Sequence, residues 1–166
     1  MNIRDAKKEE LPLIRAQRLA SYEEHSDKIP ADHWKALKKA ISSEADQQQG
    51  VELIVAELGG EIAGSVALFP AKSDAYEGHL DELAHPEIRV LAVEKAFRGK
   101  GVGKALVLEC IKRARAKGHV AIGLHTGSFM SDAMKLYEGL GFERQPEFDF
   151  EPAEDGIIVK AYQLKL

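Results

Sequence analysis

Residues 87–103, EIRVLAVEKAFRGKGVG, decide how this chain folds. The apolar run at 88–93 predicts a strand, and the sequence from Val102 onward predicts an amphipathic helix. Between them lies a glycine-rich turn, RGKGVG at 98–103, whose glycines permit positive φ angles and leave room for a ligand near the backbone. The first turn of the helix adds free N–H groups and the positive end of its dipole. The stretch therefore predicts a pocket for a phosphate or pyrophosphate.

Two common phosphate-binding motifs do not fit this turn. A Walker A loop needs a glycine five residues before its Gly-Lys pair, and Arg98 stands there relative to Gly103 and Lys104. The dinucleotide fingerprint needs a third glycine where this chain has Lys104 or Leu106. A phosphate loop of another kind is therefore expected, and the alternative is a plain glycine-rich loop that caps the helix.

Strands and helices surround this stretch in the predicted order β-α-α-β-β-β-α-β-α-β-β. The runs 51–58 and 61–69, joined by Gly59 and Gly60, predict a hairpin. The strand, helix and strand from 87 to 126 predict a parallel pair with a right-handed crossover. Asp32 is expected to cap the second helix. The other predicted strands are 1–4, 120–126, 143–150 and 157–166. The predicted helices cover 7–25 and 102–117; a further helix begins at 32, and the last begins at 131 or 132 and ends at 139. The predicted loops are 47–50 and 70–86.

The composition favours one cytoplasmic domain over residues 1–166. An apolar content of 45% and a charged content of 30% are ordinary for a globular protein. The net charge of −4 disfavours a nucleic-acid binder, and the apolar runs are too short to span a bilayer. The single cysteine, Cys110, fits a reducing compartment, and residues 1–5 do not begin a signal peptide. The spacing of the histidines predicts no metal site.

Three motifs in this chain resemble those of the GNAT family of N-acetyltransferases. They are Arg98-x-x-Gly101-x-Gly103, the strand end 91–93, and a downstream segment from Ala133 through Tyr137 to Phe142. The resemblance implies an α/β fold with a mixed central sheet of about seven strands flanked by about four helices. It also implies that acetyl-CoA is the cosubstrate and that its acetyl group passes to a primary amine of a small molecule or protein. The implied cofactor-binding residues are Leu91, Ala92, Val93, Arg98, Gly99, Lys100, Gly101, Val102, Gly103 and Lys104.

The resemblance further implies how the strand at 87–93 takes part. In the family this strand carries a bulge and splays from its parallel neighbour, so that pantetheine lies beside it. A backbone N–H near Ala92 or Val93 then points at the thioester oxygen, where it stabilises developing negative charge. An ordinary buried strand explains the same side chains.

Tyr137 and Glu87 are the candidate catalytic residues. Tyr137 matches the family's tyrosine, which is protonated at neutral pH and can donate a proton to the leaving thiolate; a helical core aromatic is the alternative. Glu87 matches a glutamate that acts as the base, whereas a solvated carboxylate is the structural alternative. The rival bases Asp81, Glu82 and His85 precede it in the 70–86 loop.

Other residues carry weaker signals. Cys110 falls on the buried stripe of its helix, so we expect direct attack by the amine in a ternary complex without an acyl-enzyme. His125 is expected to be structural. Met130 stands where many family members have an asparagine that contacts the cofactor, and Ser131 is a candidate replacement.

Several alternatives stay open at this point. The chain can also be a non-catalytic CoA-binding module on the same fold, or an acyltransferase that prefers longer acyl groups. The acidic residues of the 70–86 loop can attract a cationic acceptor. A homodimer is compatible with the sequence.

Overall fold

A computed structural model describes residues 1–73 and 84–166. Within them, four helices flank one mixed seven-stranded sheet, so the predicted α/β fold and its element order are confirmed. The helices are α1 (Leu11–Glu23), α2 (Ala31–Ile41), α3 (Val102–Ala116) and α4 (Ser131–Gly139). The strands are β1 (Asn2–Asp5), β2 (Glu52–Leu58), β3 (Glu61–Phe69), β4 (Glu87–Val93), β5 (Ala121–Gly127), β6 (Glu143–Arg144) and β7 (Val159–Lys165). Their order in the sheet is β1-β2-β3-β4-β5-β7-β6.

The sheet forms a middle layer between helices because successive side chains of a strand point to opposite faces. In β2, Leu53 and Val55 pack in one apolar cluster with Ile14 of α1. Ile54 and Ala56, which alternate with them, pack in a second cluster with the buried face of α3. The two faces of the sheet are therefore covered by different helices.

Two predicted connections are confirmed. Gly59 and Gly60 join β2 to β3 with φ angles of 63° and 80°, which suit a tight hairpin turn. The strands β4 and β5 are parallel, with α3 between them in the chain. This crossover brings the start of α3 to the edge of β4.

A bulge interrupts β4. Ser65 of β3 pairs with Ala92, but Ala67, two residues later, pairs with Arg89, three residues away along β4. The extra residue in β4 is accommodated near Val90, whose φ angle of 51° is unusual for a β-branched residue. The bulge expected from the family resemblance is therefore present.

The strands β4 and β5 pair over only two residues each. Their parallel pairing consists of Glu87 with Gly123 and Ile88 with Leu124. Beyond these pairs β4 stays with β3, whereas β5 continues along β7 as far as Gly127. A gap thus opens in the sheet where a further strand-like chain can lie.

Three predicted boundaries were wrong. The first helix begins at Leu11 after a 3-10 turn at 8–10, not at residue 7. Asp32 does not cap α2, because the helix already begins at Ala31 and Asp32 lies inside its first turn. The predicted strand 143–150 is only the two-residue β6, because Pro146 starts a 3-10 turn and lacks the N–H that a strand ladder needs.

Residues 74–83 fall outside the described part of the chain. The acidic loop predicted there, with Asp74, Glu77, Asp81 and Glu82, lies among them for the most part. Of the helices that are described, none has the length and apolar character needed to cross a membrane.

Candidate functional site

The glycine-rich turn presents backbone N–H groups at the start of α3. Gly99 and Gly101 have φ angles of 77° and 80°, a region that favours glycine. Ala105 donates the first helical hydrogen bond, to the carbonyl oxygen of Gly101 at 3.0 Å. The N–H groups of residues 102–104 therefore precede the helical ladder and remain for a ligand. A Cβ on Gly99 or Gly101 would meet no atom within 4 Å, so the surface above the turn is open.

The turn packs closely against β4 and α4. A Cβ on Gly103 would lie 3.4 Å from Leu136 Cδ2 and 3.7 Å from Val93 Cγ2. Val102 is buried beneath the turn, and Gly64 in β3 leaves room for the carbonyl of Ala92. The N-terminus of α3 is thus held at the edge of the gap between β4 and β5.

Cationic side chains surround the turn. Arg98 Nη1 lies 2.7 Å from Glu24 Oε2, and its guanidinium also donates to the Val93 carbonyl oxygen at 3.4 Å. This ion pair lowers the pKa of Glu24 and ties the turn to the end of α1. Lys100 and Lys104 are exposed, and the Lys100 ammonium lies 5.7 Å from the centroid of the Phe97 ring. All three cations lie at the turn, where they can meet an anion, and Arg98 is held there by Glu24.

A cavity of about 220 Å³ occupies the gap in the sheet. The bulged part of β4, including Leu91, contributes to its lining together with α4. The rest comes largely from β5, from α2 and from the connection between β6 and β7. The lining residues are Tyr22, His33, Ala36, Leu37, Ala40, Ile41, Ile88, Arg89, Val90, Leu91, His125, Thr126, Gly127, Phe129, Met130, Ala133, Tyr137, Phe150, Pro152, Ala153 and Val159.

Tyr137 lies on α4 and lines this cavity. Its side chain is 6% exposed, and its ring lies 5.9 Å from that of Phe142 and 6.5 Å from that of Tyr162, measured between centroids. Burial raises the pKa of Tyr137 above its usual value. The hydroxyl therefore stays protonated at neutral pH, as a proton donor must.

Glu87 is buried rather than solvated. It is 5% exposed, and Gly123 makes room for it, since a Cβ there would lie 2.6 Å from Glu87 Oε1. The Glu87 carboxylate contacts His125 Nδ1, and His125 Nε2 lies 3.2 Å from the carbonyl oxygen of Phe148. His125 lines the cavity, and Glu87 lies behind it. His125 was expected from the sequence to be structural. Its contact with Glu87 links it directly to the candidate base.

Two of the three rival bases, Asp81 and Glu82, lie outside the described residues. His85 is described, but it does not belong to the cavity lining that the described residues form. Glu87 is described too, and it contacts a residue of that lining, His125.

Cys110 is fully buried in α3, on the stripe predicted from the sequence. Burial raises the pKa of its thiol to about 12, so the reactive thiolate is suppressed. This placement fits the expectation that no acyl-enzyme forms on this side chain. Met130 precedes α4 and lines the cavity, and Ser131 is the first residue of that helix.

Sequence reasoning missed the wall formed by α2. His33 Nδ1 lies 2.7 Å from Asp155 Oδ2, and the imidazole packs near Phe129, with 6.4 Å between ring centroids. Phe129 in turn needs Gly127, where a Cβ would lie 2.5 Å from its ring. No local pattern reveals the His33–Asp155 contact, because 122 residues separate the two in the chain.

Comparisons with known proteins place the chain in a family. The model of the acetyltransferase (GNAT) family matches residues 12–142, so this chain belongs to that family. It is 36% identical over 90 residues to rat N-acetyltransferase family 8 member 2, across 54% of this chain and 38% of that protein. It is 33% identical over 95 residues to mouse N-acetyltransferase 8, across 56% of this chain and 39% of that protein. The matched segment thus spans about two-fifths of the length of these curated relatives.

Solved structures share the fold along almost the whole chain. PaiA N-acetyltransferase from Thermoplasma acidophilum, solved in complex with coenzyme A, has a TM-score of 0.71 at 16% identity and covers 99% of this chain and 98% of its own. The structure of YncA from Salmonella typhimurium with its cofactor acetyl-CoA has a TM-score of 0.64 at 22% identity. It covers 100% of this chain and 94% of its own. At these identities the likeness establishes the fold.

Proposed function

We propose that this chain transfers the acetyl group of acetyl-CoA to a primary amine. The observation that carries the proposal is the uncapped start of α3 beside the gap between β4 and β5. A diphosphate fits the first feature and an extended pantetheine arm fits the second. Residues 1–166 would act as one acetyltransferase domain, and the single cysteine favours a reaction in the reducing cytoplasm.

The cofactor would bind along two surfaces. The N–H groups of residues 99–104 would donate to the pyrophosphate, with Lys100 and Lys104 adding positive charge. Residues 91–93 would align with pantetheine, as an added strand does with a sheet edge. Two structural neighbours support this assignment, since PaiA was solved with coenzyme A and YncA with acetyl-CoA.

The acetyl group would be activated at the bulge of β4. A backbone N–H near Ala92 or Val93 would donate to the thioester oxygen, and one such donor contributes about 3 kcal/mol in other acyl-transfer sites. The amine nitrogen would attack the carbonyl carbon directly, forming the C–N bond. The C–S bond would then break, and the Tyr137 hydroxyl would give its proton to the thiolate. The nitrogen, which carries an extra proton after the attack, would lose that proton to the Tyr137 oxygen and so restore the hydroxyl.

Glu87 and His125 would together accept the proton that the ammonium form of the amine must lose. A free alkylamine is mostly protonated at neutral pH, so it needs a proton acceptor before it can attack. Glu87 supplies the carboxylate, and His125 lies between that carboxylate and the cavity. We therefore assign the base function to the pair rather than to Glu87 alone.

The test is acetyl-CoA turnover by the purified chain against a panel of primary amines, read as thiol release and as product mass. We expect CoA to bind and at least one amine to be acetylated. Binding without thiol release on any amine would favour a non-catalytic CoA-binding module, and no binding at millimolar CoA would refute the proposal. Competition with longer acyl-CoA molecules reports the acyl preference.

A further inference from the structure

The lining of the cavity is mostly apolar. Ala36, Leu37 and Ala40 of α2 contribute to it, and so do Phe150 and Pro152. Among the described lining residues there is no aspartate or glutamate. An occupant of the cavity therefore meets mainly carbon atoms.

The two histidines that line the cavity already have carboxylate partners. His125 contacts Glu87, and His33 lies 2.7 Å from Asp155. Burying a charged group without a partner costs several kcal/mol. Arg89 also lines the cavity, with its guanidinium carbon 5.6 Å from the centroid of the Phe69 ring. A second ammonium on the acceptor would thus be poorly compensated in this cavity and would be repelled by Arg89.

We propose that the acceptor is a primary amine carried on an aromatic or branched aliphatic body that bears no second positive charge. This inference rests on the proposed acetyl transfer and specifies its second substrate. The amine nitrogen would lie toward His125, and the apolar body would lie against α2 and Phe150. We expect polyamines and amino sugars to be poorer acceptors, because the lining formed by the described residues offers no acidic side chain to bind their extra polar groups.

The size of the cavity agrees with this class. An apolar cavity of about 150 Å³ is enough to hold a benzene molecule. The cavity here measures about 220 Å³, and the acetyl end of the cofactor would share that volume with the acceptor. The acceptor body that fits beside it is therefore no larger than a single ring or a short branched chain.

The experiment compares 2-phenylethylamine, ethylamine, spermidine and glucosamine as acceptors for the full chain with saturating acetyl-CoA. Each methylene placed in an apolar pocket changes kcat/KM by about 10-fold or more. We therefore expect kcat/KM for 2-phenylethylamine to exceed that for the other three by at least about that factor. A preference for spermidine or glucosamine would overturn the inference while leaving the proposed acetyl transfer intact.

A pair of variants on α2 locates the effect. Ala40→Phe places a ring in the cavity, whereas Lys39→Phe places one on the exposed side of the same helix. We expect Ala40→Phe to remove most of the preference for 2-phenylethylamine over ethylamine, with CoA affinity unchanged. Lys39→Phe should keep that preference. Equal losses for both amines in Ala40→Phe would contradict the assignment of the pocket.

Binding gives a second readout that does not depend on variants. In the complex with CoA, 2-phenylethylamine should raise the melting temperature of the unmodified chain more than ethylamine at equal concentration. Failure of 2-phenylethylamine both to bind and to be acetylated would overturn the inference. Failure of CoA itself to bind would instead refute the proposed function.

Discussion

Replacing Gly101 by alanine separates what the glycine-rich turn does for the fold from what it does for the cofactor. Gly101 precedes α3 and Gly118 follows it, and both have a φ angle of 80°. A Cβ would meet no atom within 4 Å at either position. Gly118→Ala is therefore a matched control, with the same backbone strain at the opposite end of the same helix.

The expected losses of stability and of CoA affinity follow from this geometry. The left-handed conformation costs a non-glycine residue about 1–2 kcal/mol, so both variants should lose about that much free energy of unfolding. For a chain of this size, 1 kcal/mol corresponds to about 2–4 °C in melting temperature.

If the turn at Gly101 relaxes, the N–H groups that follow it no longer converge on the pyrophosphate. A hydrogen bond to a charged group contributes about 1.5–3 kcal/mol, so CoA affinity should fall about tenfold or more in Gly101→Ala.

Calorimetric titration with CoA and thermal melts of the two variants make the comparison. We expect similar losses of melting temperature in both and a loss of CoA affinity in Gly101→Ala alone. Equal CoA affinity in the two variants, with both folded, would show that the backbone of this turn does not hold the cofactor.

Three further predictions concern single side chains. In steady-state kinetics, Tyr137→Phe should lower kcat about 100-fold with CoA affinity unchanged, as expected for loss of a general acid. Tyr162→Phe is the control, and unchanged turnover in Tyr137→Phe would remove Tyr137 from the mechanism. Cys110→Ala should lower the free energy of unfolding by about 1 kcal/mol and leave kcat unchanged. Mass spectra of the intact protein with acetyl-CoA should show no acetylated intermediate. Loss of activity in this variant, if it is folded, would argue for an acyl-enzyme. The Arg4 guanidinium lowers the pKa of Glu10 to about 2, so this pair stabilises the fold above pH 4.5 and loses its effect as the pH falls toward 2. Urea unfolding should accordingly find Glu10→Gln less stable than the parent at pH 7, with a difference that shrinks as the pH falls from 4.5 through 2. A difference that stays constant with pH would contradict the assignment.

Local patterns predicted the parts of the fold that local chemistry determines. Gly59 and Gly60 mark the hairpin because its turn requires positive φ angles. The turn before α3 was predictable because glycines follow an apolar strand and precede an amphipathic helix. In the structure, Gly99 and Gly101 of this turn do have positive φ angles. In contrast, the bulge at Val90 was expected only from the family resemblance, since the β-branched residue there gives no local sign of it.

The functional pairing of Glu87 with His125 could not be predicted from either residue. It depends on the parallel register that sets Glu87 beside Gly123, two residues before His125 in β5. A register of this kind is determined by packing across the whole sheet and not by neighbouring residues. The same holds for the α2 wall, where His33 and Asp155 meet across 122 residues of chain. The failure at β6 was local, because Pro146 already signals the end of a strand.

A crystal structure of the chain with acetyl-CoA tests the central claim most directly. We expect pyrophosphate oxygens within about 3.2 Å of backbone nitrogens at residues 99–104, and pantetheine between β4 and β5. A pyrophosphate bound elsewhere on the molecule, or a gap between these strands that the cofactor does not enter, would contradict the account.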